Sequence, residues 1–174
     1  MGFLITSCSE LKPDKIGVVT YFDVDSLTNH QVEILSSKNF TLNKTVMIDG
    51  KSESKSITPD SADWERELRF LRQLNINKPR LIGAYDSLVK SSSVRYIPKF
   101  DSEIPIRYLE VKKENGIVTT LSGKLVEKND IYETSLEATL QFDESSLSTY
   151  SVNGYQKIVL KDSVFYNIRG KINQ

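Results

Sequence analysis

The chain has 174 residues, 39% hydrophobic and 26% charged, a size and balance that suit one globular domain with a sizeable core. Lys plus Arg and Asp plus Glu each number 23, so the net charge is zero, which argues against nucleic acid as a partner. One cysteine and one histidine exclude an internal disulfide and most metal and thiol chemistry, and no apolar run approaches the roughly 18 residues of a membrane span.

First in chain order is Phe3-Leu4-Ile5-Thr6-Ser7-Cys8, an apolar run closing on two small residues and the single cysteine. It resembles the lipobox of a bacterial lipoprotein precursor. That resemblance implies that Ser7 fits the narrow pocket of the signal peptidase and that the Cys8 thiol carries a diacylglyceryl group. Cleavage then leaves Cys8 as a lipidated amino terminus, anchored by the two or more acyl chains that stable attachment requires. A complete secretory signal has a charged start and an apolar stretch of about 7–15 residues, so this shorter run implies a late-placed start codon or a fragment of the precursor. The alternative reading makes Phe3, Leu4 and Ile5 a short strand and Cys8 a buried thiol. On the lipobox reading, residues 1–15 are residual signal, lipobox and a polar tether ending at Lys15, and residues 16–174 form a single domain.

A first helix is predicted over Asp23–Leu35, with Asp23 or Asp25 as N-cap and Val24, Leu27, Gln31, Ile34 and Leu35 on one stripe. A second is expected from Thr58 as N-cap and Pro59 in the first turn, presenting Trp64, Leu68, Leu71 and Leu74 to the core. Asn75-Ile76-Asn77-Lys78-Pro79 ends it. The remainder reads as strand. Leu42, Val46 and Ile48 alternate with polar residues up to the hairpin signal Asp49-Gly50, and the return from Lys51 to Ile57 is polar enough for a sheet edge. Further strands are expected at 81–85, 94–97, 104–113, 117–126, 131–142, 152–160 and 164–172, with tight turns at Asn115-Gly116 and Asn129-Asp130. Alternation is cleanest in Tyr132, Thr134, Leu136, Ala138, Leu140 and Phe142, the mark of a sheet with one buried face. The expected fold class is α+β: a curved, mainly antiparallel, half-barrel-like sheet of about eight strands with two helices on one face, a closed small barrel being the alternative. Trp64, Leu68 and Leu71 should meet Leu136, Ala138 and Leu140.

Tyr21-Phe22-Asp23-Val24-Asp25-Ser26-Leu27, Asp63-Trp64, Asn75-Ile76-Asn77-Lys78-Pro79 and Asn153-Gly154-Tyr155-Gln156-Lys157 together resemble an uncharacterised group of extracytoplasmic lipoproteins of the Bacteroidota type. The resemblance covers most of the chain and carries no catalytic motif. It implies location in the bacterial cell envelope, at the outer membrane or its periplasmic face, and leaves activity open. Asp25-Ser26-Leu27, Asp60-Ser61-Ala62, Asp86-Ser87-Leu88 and Asp162-Ser163-Val164 look like the short O-glycosylation acceptor of exported proteins of that group.

Other constellations are weighed by their chemistry. His30 has no local partner for catalysis, and its place beside the helix stripe fits a structural role. Asp60, Asp63 and Glu67 would share a helix face and suit a hard cation or acid–base work, although early acids also serve a helix N-terminus. Net charge is −4 over residues 1–65, +6 over Arg66–Lys99 and −2 thereafter, so the basic stretch either meets an anionic partner or pairs locally, as Arg72 would with Glu65. The aromatics from Tyr96 to Tyr166 either line a concave ligand site or pack as core. No catalytic, cofactor or metal site is assigned. The expected function is a non-enzymatic, lipid-anchored binding or accessory module that meets the membrane through acyl chains on Cys8 and engages an apolar ligand or an envelope protein. The alternative is a carrier of a hydrophobic ligand, which an enlarged apolar cavity would favour over a filled core.

Overall fold

The computed structural model describes residues 21–100 and 104–173, so Cys8, its lipobox and the tether lie outside the described residues. In chain order the elements are α1 (Val24–Ser36), β1 (Thr41–Ile48), β2 (Lys51–Ile57), α2 (Ser61–Glu67), α3 (Arg69–Arg72), a 3-10 turn (Pro79–Leu81), β3 (Tyr85–Lys90), β4 (Ser93–Pro98), β5 (Ile106–Glu114), β6 (Ile117–Lys128), β7 (Tyr132–Asp143), β8 (Ser146–Ile158) and β9 (Val164–Asn173). The nine strands form one curved, unclosed antiparallel sheet in the order β2-β1-β9-β8-β7-β6-β5-β4-β3, with the helices packed on one face. The fold is therefore α+β, and the sheet does not close into a barrel.

From β3 to β9 the sheet is a meander, and β1 then pairs with the last strand rather than with its sequence neighbours. The Asp49-Gly50 and Asn115-Gly116 turns take positive φ at both central residues, which matches the twist of a two-residue hairpin. Edge strand β2 is polar and exposed from Lys51 to Ser56, and its alternating charges discourage another chain from adding there. Trp64, Leu68, Leu71 and Leu74 are all 0% exposed and join Leu121, Leu136, Ala138 and Leu140 in one core.

Several expected boundaries are corrected. Asp60, not Thr58, caps the second helix: its side chain accepts from Asp63 N–H at 2.8 Å while Asp63 reaches back to the Asp60 N–H, closing a capping box. Pro59 therefore precedes the helix. That helix does not run unbroken to Leu74 but divides at Leu68, beyond which successive backbone bonds span three residues, Leu71 to Leu68 at 3.0 Å and Leu74 to Leu71 at 2.8 Å. The cause is visible in the sequence: Leu68, Leu71 and Leu74 repeat every third residue, and only winding of about 3.0 residues per turn points all three at the sheet. The strand expected over 81–85 is instead the 3-10 turn and a bend at Gly83, where φ is +79°, and β3 starts at Tyr85. Finally, β8 begins at Ser146, well before the expected 152, which brings the strand number to nine.

Glycines on the inner, helix-bearing face let large side chains lie flat across neighbouring strands. Gly170 sits opposite Tyr150 and Gly154 opposite Tyr166. A Cβ at Gly170 would strike the Tyr150 ring, and one at Gly154 would strike both the Tyr166 ring and the Ser135 carbonyl oxygen.

Candidate functional site

The helices cover only part of the inner face. Beside α2 the uncovered part forms an open cleft of about 280 Å³ lined by Lys44, Arg66, Glu67, Phe70, Leu136, Tyr150, Val152, Tyr166 and Ile168. Its apolar wall follows from strand alternation: Leu136 on β7, Val152 on β8 and Ile168 on β9 stand on the same face, and Ile168 is directly paired with Val152. Its polar end is a three-residue set. Glu67, at the last turn of α2, accepts from Lys44 Nζ at 2.8 Å through Oε2 and from the Tyr150 hydroxyl through Oε1. Burial, reinforced by the bond to Glu67, pushes the Tyr150 phenol above its ordinary pKa, so it stays a neutral donor.

Both Glu67 oxygens are thus engaged, which fits an anchored polar terminus better than a proton shuttle. Lys44 uses one of its three ammonium donors on Glu67, and its side chain retains 28% exposure toward water. The cleft can therefore hold an apolar body with an anionic or carbonyl end at Lys44. The larger clefts, up to about 480 Å³, are open surface depressions with mixed or polar walls. Beneath the helices the core is filled by Trp64, Leu68, Leu71 and Leu74.

The residues singled out in the sequence distribute as follows. Asp60 and Asp63 close the helix cap, Asp63 also pairs with Arg66, and Glu67 turns inward to the sheet, so the three carboxylates form no common site. Among the described residues no group of three metal-ligating side chains occurs. His30 is exposed, 4.0 Å from Glu33. The basic stretch pairs locally, Arg72 with Glu65 at 2.7 Å and Arg95 with Glu110 at 3.0 Å, which dissolves it as a single cationic surface. The aromatics divide between the two faces: Tyr150 and Tyr166 line the cleft, whereas Tyr108 lies on the other face, donating to Glu137 at 2.8 Å with the Arg95 guanidinium over its ring.

The Asn75-to-Pro79 run is a latch. Asn75 donates to Asp25 at 2.6 Å, while Asn77 accepts from the Tyr21 N–H at 2.9 Å and donates to the Phe22 carbonyl at 3.1 Å. It ties the end of α3 to the chain entering α1, so these motif residues serve architecture. Sequence reasoning missed Lys44 as a cleft residue; the signal was a lysine at the buried phase of a strand otherwise carrying Leu42 and Val46 inward. Compared with known protein families, curated proteins and solved structures, the chain matches none of them.

Proposed function

We propose that the chain is a non-enzymatic binding module of the bacterial cell envelope, held at a membrane by acyl chains on Cys8, with the cleft between α2 and the sheet as its ligand-binding surface. The observation that carries the reading is the cleft itself: an apolar wall of Leu136, Val152, Tyr166 and Ile168 closed at one end by Lys44, Glu67 and Tyr150. Small-molecule sites combine an apolar lining with a few convergent polar groups in this way. The filled core under the helices supports a surface module over a carrier that encloses its cargo, because an acyl chain swallowed whole would need the volume that Trp64 and the three leucines occupy.

Anchoring is tested by expressing the chain with its native upstream region in a lipoprotein-competent bacterium fed labelled fatty acid. The wild-type protein takes up label and fractionates with membranes, and Cys8→Ala does neither. A wild type that is soluble and unlabelled, or a labelled Cys8→Ala, ends the anchor reading.

A further inference from the structure

Three turns come together at one end of the sheet: β1–β2, β6–β7 and β8–β9. Backbone bonds tie them. The Phe165 N–H donates to Asp49 Oδ1 at 2.8 Å, the Asp49 N–H to the Phe165 carbonyl at 3.0 Å, and the Val159 N–H to the Ile131 carbonyl at 2.9 Å. This rigid end presents Ile48, Ile131, Val159, Leu160, Val164 and Phe165 to solvent, with Ile131 68% and Leu160 100% exposed. Scattered apolar residues on a surface are ordinary, but a contiguous set on adjoining turns marks an interaction site.

Leu160 is the informative member. Its φ is +65°, in the left-handed region that a bulky side chain occupies at a cost, where glycine or asparagine would sit with less strain. The folded chain recovers nothing from this leucine, which is fully exposed. Lys51, Lys128, Lys157 and Lys161 stand on the same strand ends and turns, against Asp49, Asp130 and Asp162, and Asp49 is already engaged by the Phe165 N–H. Protruding apolar side chains bordered by a surplus of ammonium groups suit a phospholipid surface: the apolar tips enter the acyl boundary while the lysines remain at the phosphates.

We infer that this end of the sheet docks on an anionic phospholipid bilayer, with Val159, Leu160 and Phe165 inserted at headgroup depth. The inference deepens the envelope reading, since it names the surface that a chain tethered through Cys8 lays on the membrane.

The test uses the whole 174-residue chain carrying Cys8→Ala, so that no acyl chain contributes. It is sedimented with phosphatidylcholine vesicles lacking or containing phosphatidylglycerol. The expected result is partition onto the phosphatidylglycerol vesicles that Leu160→Asn combined with Val159→Ser weakens roughly tenfold or more, the equivalent of about 1.4 kcal/mol. Asparagine tolerates the left-handed backbone, so this variant keeps its fold. In a second measurement, Phe165→Trp adds an exposed indole to a chain whose one native tryptophan, Trp64, is fully buried. Its emission should shift to the blue on vesicles and be quenched by brominated acyl chains.

Absence of partition, equal partition onto both vesicle types, an unaffected double variant or an unquenched Phe165→Trp each overturns the inference. So does a dimer in solution that the double variant dissolves, which would make a second copy the occupant. Vesicle binding by the unlipidated chain without fatty-acid labelling of the wild type removes the anchor reading alone; labelling without vesicle binding removes this inference alone.

Discussion

Gln31 shows how a polar side chain earns a place in the core. It is 1% exposed, yet its amide donates to the Ser145 carbonyl at 2.8 Å and its carbonyl accepts from the Leu147 N–H at 2.8 Å. The two bonds hold a turn in which Glu144 and Ser145 both have positive φ, a conformation neither residue favours by itself. Tyr150 and Tyr85 are buried in a different sense: desolvation raises the pKa of each phenol, with the Glu67 carboxylate adding to the effect at Tyr150. Because the folded pKa lies above the unfolded value of about 10, stability from these groups is complete below that pH and is lost as pH rises beyond it. The unfolded chain then releases protons that the folded chain retains. Urea midpoints should therefore fall above about pH 10, and phenolate absorbance should show these two tyrosines ionising only as the protein unfolds. A flat midpoint up to pH 11 would contradict the assignment.

At the scale of elements, the capping box at α2 yields a direct expectation. Asp60→Ala removes the acceptor for the Asp63 N–H and should cost about 0.5–2 kcal/mol in urea unfolding, without altering the Lys44–Glu67 pair at the other end of the helix. The strands were legible wherever one face is buried and the other wet, as in β7, whose inward set Leu136, Ala138, Leu140 and Phe142 stands out by residue type alone. The early start of β8 was not legible, because Glu144-Ser145 has no turn chemistry of its own and depends on Gln31, more than a hundred positions earlier. The break at Leu68 was written in the three-residue leucine spacing but reads equally well as ordinary helix until the sheet sets the direction. Glu67 was recognisable as a carboxylate of interest. Its partners were not, since Lys44 and Tyr150 arrive from opposite directions along the chain, 23 and 83 positions away.

For the molecule as a whole, strand order predicts the gradient of local stability. Strands β6, β7 and β8 are paired on both sides and carry the fully buried Leu121, Ala138 and Leu140, whereas β2 and β3 each have one partner and expose most of their residues. Hydrogen exchange should be slowest in the central three and fastest in the two edges; uniform protection would contradict this architecture. The pairing of β1 with β9, Thr41 opposite Asn173, has another consequence, one that concerns time. A ribosome completes the β1–β2 hairpin long before it reaches Val164, a delay on the order of ten seconds at ordinary synthesis rates. For that interval the hairpin is an orphan, and β1 offers an unmated backbone to any strand nearby. Its other side is closed by the lysines, serines and glutamate of β2. The polar edge that looks idle in the finished protein thus halves the surface on which a nascent chain can make the wrong partnership.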